Sequence, residues 1–236
     1  MIVKKSVRQF LLLSLFTLAC SASWAQVSLG VRGGANFATF AVSGDDQDFP
    51  FKPKAGLNFA LLFNLPISGS TSIQIEPGFS QRGARISEKS EQLINSQQVK
   101  IDINGKLLVN YIEMPILFQY RPQLGKLQGL LSIGPEVRLM TGNIRAKSRS
   151  KVYVDGELVS DTSEDESYGS SDDTNKFDFG LVGGAGVAYP LGTIKVFAEG
   201  RYHFGLRNLA SDSGDDSKVH NRGASAHIGI LVPIGK

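Results

Sequence analysis

Residues 55–65 read AGLNFALLFNL, and their side chains alternate between an apolar set and a mixed set. Leu57 and Phe59 belong to the apolar set, whereas Asn58 and Asn64 belong to the other. Successive side chains of a β-strand point to opposite faces, so an alternation of this length indicates an extended strand. The stretch therefore predicts one long strand with an apolar face and a polar or small face.

Seven further segments of the chain alternate in the same way, and turn-forming Gly, Pro, Asn and Asp residues separate them. The eight segments cover residues 27–40, 54–65, 71–83, 107–121, 127–141, 176–189, 193–206 and 223–234. Strands of soluble domains usually have about 5–6 residues, whereas a tilted strand that crosses a membrane needs roughly 9–11. Segments of this length with two different faces are typical of a small outer-membrane barrel.

The connections between these segments alternate in length. Long polar connections lie near 41–53, 84–106, 142–175 and 207–222, and short ones cover 66–70, 122–126 and 190–192. Outer-membrane barrels alternate long extracellular loops with short periplasmic turns. The predicted fold class is therefore all-β: an eight-stranded antiparallel up-and-down transmembrane β-barrel with long extracellular loops and periplasmic termini.

Two of the long connections contain hairpin signals of their own. Asp155-Gly156 lies between the β-prone runs 151–154 and 157–159, and the dipeptide favours a tight turn. Residues 99–109 give the same signal around Asn104-Gly105. These patterns predict that some strands extend beyond the membrane.

Charged residues occupy the faces opposite the apolar ones, where they would fill the barrel interior. They are Arg32, Glu76, Arg82, Glu113, Arg121, Glu136, Arg138, Lys195, Glu199 and Arg201. An eight-stranded barrel is just wide enough for side chains to fill, and buried charges need partners. We therefore predict a salt-bridge network inside the lumen; an ion or proton path along the same residues is the alternative.

The N-terminal segment has the order of an export signal. Basic residues precede an apolar run at 10–20, and small residues lie before a cleavage position after Ala25. We predict a cleaved signal peptide at 1–25 and a barrel domain at 26–236. An alternative is a lipoprotein acylated at Cys20, the only cysteine in the sequence.

Composition adds two exclusions. The chain has 25 basic and 22 acidic residues, but the predicted signal carries three basic and no acidic ones, so the remainder has no net charge. The basic excess thus gives no indication of a nucleic-acid partner. A single cysteine excludes a disulfide framework and any metal site built from several cysteines.

Several short motifs resemble those of Bacteroidetes-type outer-membrane β-barrel proteins, the PorT-like, porin-like family. They are GVRGGANF at 30–37, YIEMPI at 111–116, FGLVGGAGV at 179–187 and RYHFGL at 201–206. The resemblance implies an eight-stranded barrel in the outer membrane, and some members of that family support protein secretion. The ending VPIGK at 232–236 departs from the terminal aromatic residue of many such barrels.

No catalytic or metal-binding motif is evident. His203, His220 and His227 are dispersed, and neither a Gly-x-Ser-x-Gly elbow nor a His-Glu-x-x-His motif occurs. The acidic clusters at 45–46 and 212–216 lack the spacing of a calcium loop. We predict no catalytic residue, cofactor or metal, and we expect His203 and His227 to be hydrogen-bonded interior residues.

These patterns predict an integral barrel of a Gram-negative outer membrane, non-enzymatic, with a structural, binding or secretion-associated role. Its expected partners are membrane lipid and periplasmic or extracellular proteins that contact the loops. Three alternatives stay open: a narrow channel for small solutes, a soluble lipocalin-like periplasmic barrel with the apolar faces inside, and an outer-membrane enzyme with its site in the loops.

Overall fold

The computed structural model describes residues 27–43, 51–168, 176–209 and 218–234. Their regular structure is a single antiparallel sheet of eleven strands, which confirms the all-β prediction. The strands are β1 (Ser28–Ser43), β2 (Phe51–Pro66), β3 (Thr71–Ile75), β4 (Gly78–Ile94), β5 (Gln97–Tyr120), β6 (Gln123–Leu124), β7 (Leu127–Val154), β8 (Glu157–Tyr168), β9 (Phe177–Leu191), β10 (Ile194–Gly205) and β11 (Lys218–Pro233). No helix in these residues is long and apolar enough to cross a membrane.

The sheet closes on itself. Hydrogen-bonded pairing runs from β1 through β2, β4, β5, β7, β9, β10 and β11, and β11 pairs again with β1 along Ser28–Ser43. The short strand β3 lies between β2 and β5, as β4 does, and is separated from β4 by Glu76-Pro77. Closure satisfies the backbone groups of the wall, which a chain in hydrocarbon requires.

The two faces of the closed sheet are the reverse of those in a soluble domain. Leu57 on β2 is 66% exposed and Ile228 on β11 is 71% exposed, whereas Arg82 and Glu76 are 1% and 0% exposed. Apolar side chains thus point outward around the barrel, and polar ones point inward. A soluble lipocalin-like barrel needs the opposite arrangement, so that alternative is wrong.

The connection between β4 and β5 differs from the prediction. The expected long loop near 84–106 is instead a pair of continuous strands joined at Asn95 and Ser96, which have φ of 51° and 66°. The hairpin predicted around Asn104-Gly105 is also wrong, because Asn104 pairs with Ser87 on β4 and Arg149 on β7. Pairing on both sides of β5 overrides the local turn preference.

The hairpin predicted at Asp155-Gly156 is present. Asp155 and Gly156 have φ of 50° and 88°, and they join β7 to β8. The upper parts of β4, β5, β7 and β8 pair side by side beyond the barrel and form a four-stranded extension, which we call the outer sheet (residues 85–108 and 145–168). The predicted signal peptide at 1–25 and the acidic clusters at 45–46 and 212–216 lie outside the described residues.

Candidate functional site

Two carboxylates organise the charged interior of the barrel, and the first is Glu76. This residue occupies the break between β3 and β4, and its carboxylate is fully buried. It accepts hydrogen bonds from Arg32 Nε at 2.7 Å, from Arg201 Nη1 and Nη2 at 2.6 and 2.8 Å, and from Gln74 Nε2 at 2.6 Å. The two-point contact with Arg201 is the geometry that makes guanidinium–carboxylate pairs strong.

The second organising carboxylate is Glu136 on β7. Its oxygens lie 2.6 Å from Arg138 Nη2, 3.1 Å from Arg82 Nη2 and 2.9 Å from His203 Nδ1. Arg138 also donates to Asp178 Oδ2 at 2.6 Å. The carboxylates at 136 and 178 thus share one guanidinium group inside the wall.

Glu113 and Glu199 extend the pairs into one network. Glu113 lies 2.9 Å from Arg82 and 3.6 Å from Arg32, and therefore joins the surroundings of Glu136 to those of Glu76. Glu199 accepts from Arg201 Nη2 at 2.6 Å and also from the Ser132 hydroxyl. Sharing each carboxylate between several donors offsets part of the desolvation cost that an isolated buried charge would carry.

Eight of the ten residues predicted for the interior lie in this network. They are Arg32, Glu76, Arg82, Glu113, Glu136, Arg138, Glu199 and Arg201. Within the described residues, neither Arg121 nor Lys195 has an ion pair. Arg121 instead donates to the side chains of Asn64, Gln74 and Gln119.

Two members of the network are not among the ten predicted residues. Asp178 is fully buried and lies between Phe177 and Phe179, both of which point outward. The alternation of apolar and polar residues would therefore have predicted an interior position for Asp178. The other is His203, which the sequence predicts to be a hydrogen-bonded interior residue. Its contacts with Glu136 and with Ser225 Oγ, at 2.8 Å from Nε2, place it at the edge of the network.

Apolar side chains lie inside the barrel on either side of the charged layer. Leu62, Leu130, Phe197 and Leu231 pack together at the end that carries the short turns. The cavity between this cluster and Gln74 has no room for a water-sized sphere. Near the outer sheet, Val109, Tyr111 and Met140 form a second cluster. Among the described residues, the interior is thus closely packed at the end with the short turns, and the charges lie between two apolar layers.

Ser225, His203 and Glu136 have the hydrogen-bond order of a hydrolase triad, with contacts of 2.8 and 2.9 Å. Ser225 is only 4% exposed and His203 1%, and Glu136 is also held by two arginines. An acyl substrate must reach the hydroxyl, and the burial of both side chains leaves the hydroxyl without an exposed approach. In the part of the chain that the structure describes, no group of His, Cys, Asp and Glu could hold a metal ion.

A sequence model of the outer membrane protein β-barrel domain matches residues 21–211. The chain belongs to this family. It is thus an integral β-barrel of a Gram-negative outer membrane, and its outward apolar faces contact lipid. No curated protein sequence matches the chain.

Three of the solved structures with a similar course of the chain come from different bacteria. Neisserial surface protein A is 14% identical with a TM-score of 0.39, and the match covers 87% of this chain and 97% of that one. The attachment invasion locus protein Ail of Yersinia pestis is 16% identical (TM-score 0.30; 86% and 99% covered). A major outer membrane protein from Thermus thermophilus is 10% identical (TM-score 0.42; 88% and 99% covered).

Proposed function

We propose that the eleven strands make eight crossings of the membrane. β3 and β4 have the same neighbours, β2 and β5, and count as one interrupted transmembrane strand. The two-residue strand β6 pairs only with the start of β7, and β8 pairs only with the upper part of β7, so neither adds a crossing. The export-signal pattern supports a mature barrel of residues 26–236 that follows a cleaved signal at 1–25.

We further propose that this barrel is a closed, non-enzymatic scaffold whose role is structural, binding or secretion-associated. The observation that carries the proposal is the packed interior, where paired charges lie between two apolar layers. A solute path would require these side chains to move apart. The outer sheet and the loops are then the surfaces at which the protein contacts other molecules, as the resemblance to PorT-like proteins also suggests.

Three measurements test this proposal together. Outer-membrane fractions analysed with and without boiling should show the mobility shift of a folded barrel, and external protease should cut the outer sheet while the barrel core stays intact. In planar bilayers the purified protein should give no conductance steps. Reproducible steps would favour the narrow channel, and recovery of the protein in the soluble periplasmic fraction would refute the membrane-spanning architecture.

An enzymatic role has its own test, because Ser225 and His203 are the described residues that come nearest to a hydrolase arrangement. Activity against ester and peptide substrates should be absent from the purified protein. Hydrolysis that is lost in Ser225→Ala but kept in Ser132→Ala, a matched substitution of another buried serine, would overturn the non-enzymatic proposal.

A further inference from the structure

One face of the outer sheet is continuous with the lipid-facing side of the barrel. On β5 the outward residues are even-numbered, as Ile112 and Phe118 show by their exposure, so Lys106 points to the same side. On β7 the register is irregular between Thr141 and Arg145, but these two residues are separated by an even number of positions. Odd-numbered side chains of β7 therefore point outward on both sides of the irregularity. The outward face of the barrel therefore continues above the membrane on these strands.

A row of basic residues crosses the base of this face on β4, β5 and β7 and continues onto the neighbouring strand β2 of the barrel wall. It consists of Lys52 on β2, Arg85 on β4, Lys106 on β5 and Lys147 on β7. Each is directly paired with the next, and all four side chains are exposed. We call this set the basic row.

Like charges placed directly opposite each other destabilise a sheet. Within the described residues, the one ion pair of the row is that of Lys147 with Asp165 on β8, at 2.6 Å. Lys52 makes a hydrogen bond to the backbone oxygen of Ser87 at 3.5 Å, which adds no negative charge. The row therefore keeps an excess of positive charge.

Rows nearer the tip of the outer sheet are neutralised by their own residues. Lys89 is paired with Asp102, and Asp102 with Lys151, which lies 4.0 Å from Asp161. One row farther out, Glu91 is 3.4 Å from Lys100. The alternation of sign in these rows shows that the sheet accommodates complementary charges, so the uniform sign of the basic row sets it apart.

On β5 the basic row follows directly on the last apolar outward residue. Leu108 is the last apolar outward residue on β5, and Lys106 is the next outward position, about 7 Å farther along the strand. The polar layer of a bilayer is about 5–8 Å thick on each side of the hydrocarbon. Long Lys and Arg side chains that start this close to the apolar band can extend to phosphate groups beside the barrel.

We propose that the basic row binds the phosphate groups of anionic lipids in the outer leaflet, in particular a phosphorylated glycolipid that lies against β2, β4, β5 and β7. This inference rests on the proposed outer-membrane barrel, with the outer sheet on the extracellular side. The bound phosphates supply the negative charge that the sheet lacks at this level, and they fix the outer sheet against the membrane surface.

The test compares two triple variants of the full chain, refolded in dodecyl maltoside micelles. The row variant carries Lys52→Gln, Arg85→Gln and Lys106→Gln. The tip variant carries Lys89→Gln, Lys100→Gln and Lys151→Gln, and removes the same charge from the same face. Native mass spectrometry measures binding of diphosphorylated lipid A relative to phosphatidylcholine, and heat-modifiable mobility checks the folding of each variant.

A basic residue near an anionic membrane surface contributes about a fivefold change in affinity. We expect the row variant to lose on the order of 100-fold in its preference for lipid A, whereas the tip variant keeps the preference of the wild type. Without anionic lipid, the row variant should be at least as stable as the wild type, because like charges have been removed. The single variant Lys106→Gln, with an expected loss of about fivefold, replaces the row variant if the latter does not fold.

An unchanged preference in the row variant, or an equal loss in the tip variant, would overturn the inference. It would also be overturned if inorganic phosphate alone displaced lipid A, since the ligand would then be a free anion. Row-dependent binding of heparin without binding of lipid A would assign the row to a soluble polyanion. All these outcomes can occur in a folded, non-conducting barrel and leave the proposed closed scaffold intact.

Discussion

Removal of the Glu76 carboxylate is the sharpest perturbation of the interior. Glu76→Ala deletes three hydrogen bonds from Arg32 and Arg201 and one from Gln74. Arg201 keeps Glu199 at 2.6 Å, but the nearest remaining carboxylate of Arg32 is that of Glu113, at 3.6 Å. Removal of one partner from a buried ion pair typically costs about 3–5 kcal/mol. We expect a loss in this range.

The assay is denaturant unfolding of the protein in phosphatidylcholine vesicles, followed by the fraction that retains heat-modifiable mobility. Glu88→Ala, in the exposed outer sheet, is the matched control and should change the free energy of unfolding by less than about 0.5 kcal/mol. The double variant Glu76→Ala/Arg201→Ala should lose less free energy of unfolding than the two single variants lose together. The difference should be about 0.5–3 kcal/mol. A loss below about 1 kcal/mol in Glu76→Ala, or strict additivity in the double variant, would refute the account of the network.

Three further predictions concern the lipid face, the interior packing and the outer sheet. Ile228→Arg should destabilise the barrel in vesicles by about 2–4 kcal/mol, because it places a charge on the lipid face. The control Leu93→Arg, at a 76% exposed position of the outer sheet, should change the free energy of unfolding by less than about 0.5 kcal/mol. Equal effects of the two substitutions would contradict the assignment of faces. A Cβ at Gly184 would lie 2.7 Å from both Arg201 Cγ and Glu199 Oε1, so Gly184→Ala should cost about 1–3 kcal/mol in the same unfolding assay, while Gly69→Ala, in open space, should be neutral. Hydrogen bonds from Arg149 lower the pKa of Asp161 in the folded protein. This pair therefore contributes its full stabilisation to the β7–β8 hairpin at any pH above the ordinary aspartate pKa. The contribution is lost as the pH falls through the lower pKa of the folded state. Hydrogen exchange of the hairpin amides should therefore quicken at acid pH in the wild type and become less pH-dependent in Asp161→Asn; an unchanged profile in the variant would contradict this.

The faces of the strands could be predicted from the sequence because the alternation is a local property. Leu57 and Asn58 are adjacent in one strand, so their side chains point to opposite faces whatever the arrangement of the other strands. Height along the barrel axis is different, since it depends on the stagger between neighbouring strands. The alternation predicts both Arg121 and Glu136 to lie inside, yet Glu136 meets three cationic or imidazole groups, while Arg121 meets only amides.

The errors at the outer sheet have a related cause. Asn104-Gly105 favours a turn when its neighbours are considered alone, but Ile86 and Ser148 pair with Gly105 from both sides and hold the segment extended. The turn falls instead at Asn95-Ser96, where asparagine tolerates the left-handed conformation. The local preference of Asn104-Gly105 for a turn is smaller than the stabilisation from backbone hydrogen bonds to a neighbouring strand on each side.

The most direct test of the inverted architecture is the lipid exposure of alternate residues on β2. Single cysteines at each position from 57 to 63, in a chain that also carries Cys20→Ser, are labelled with a bimane fluorophore and refolded in vesicles that contain brominated phosphatidylcholine. We predict strong quenching at 57, 59, 61 and 63 and weak quenching at 58, 60 and 62. Uniform quenching, or stronger quenching at the even positions, would contradict a barrel with apolar residues facing lipid and charges inside.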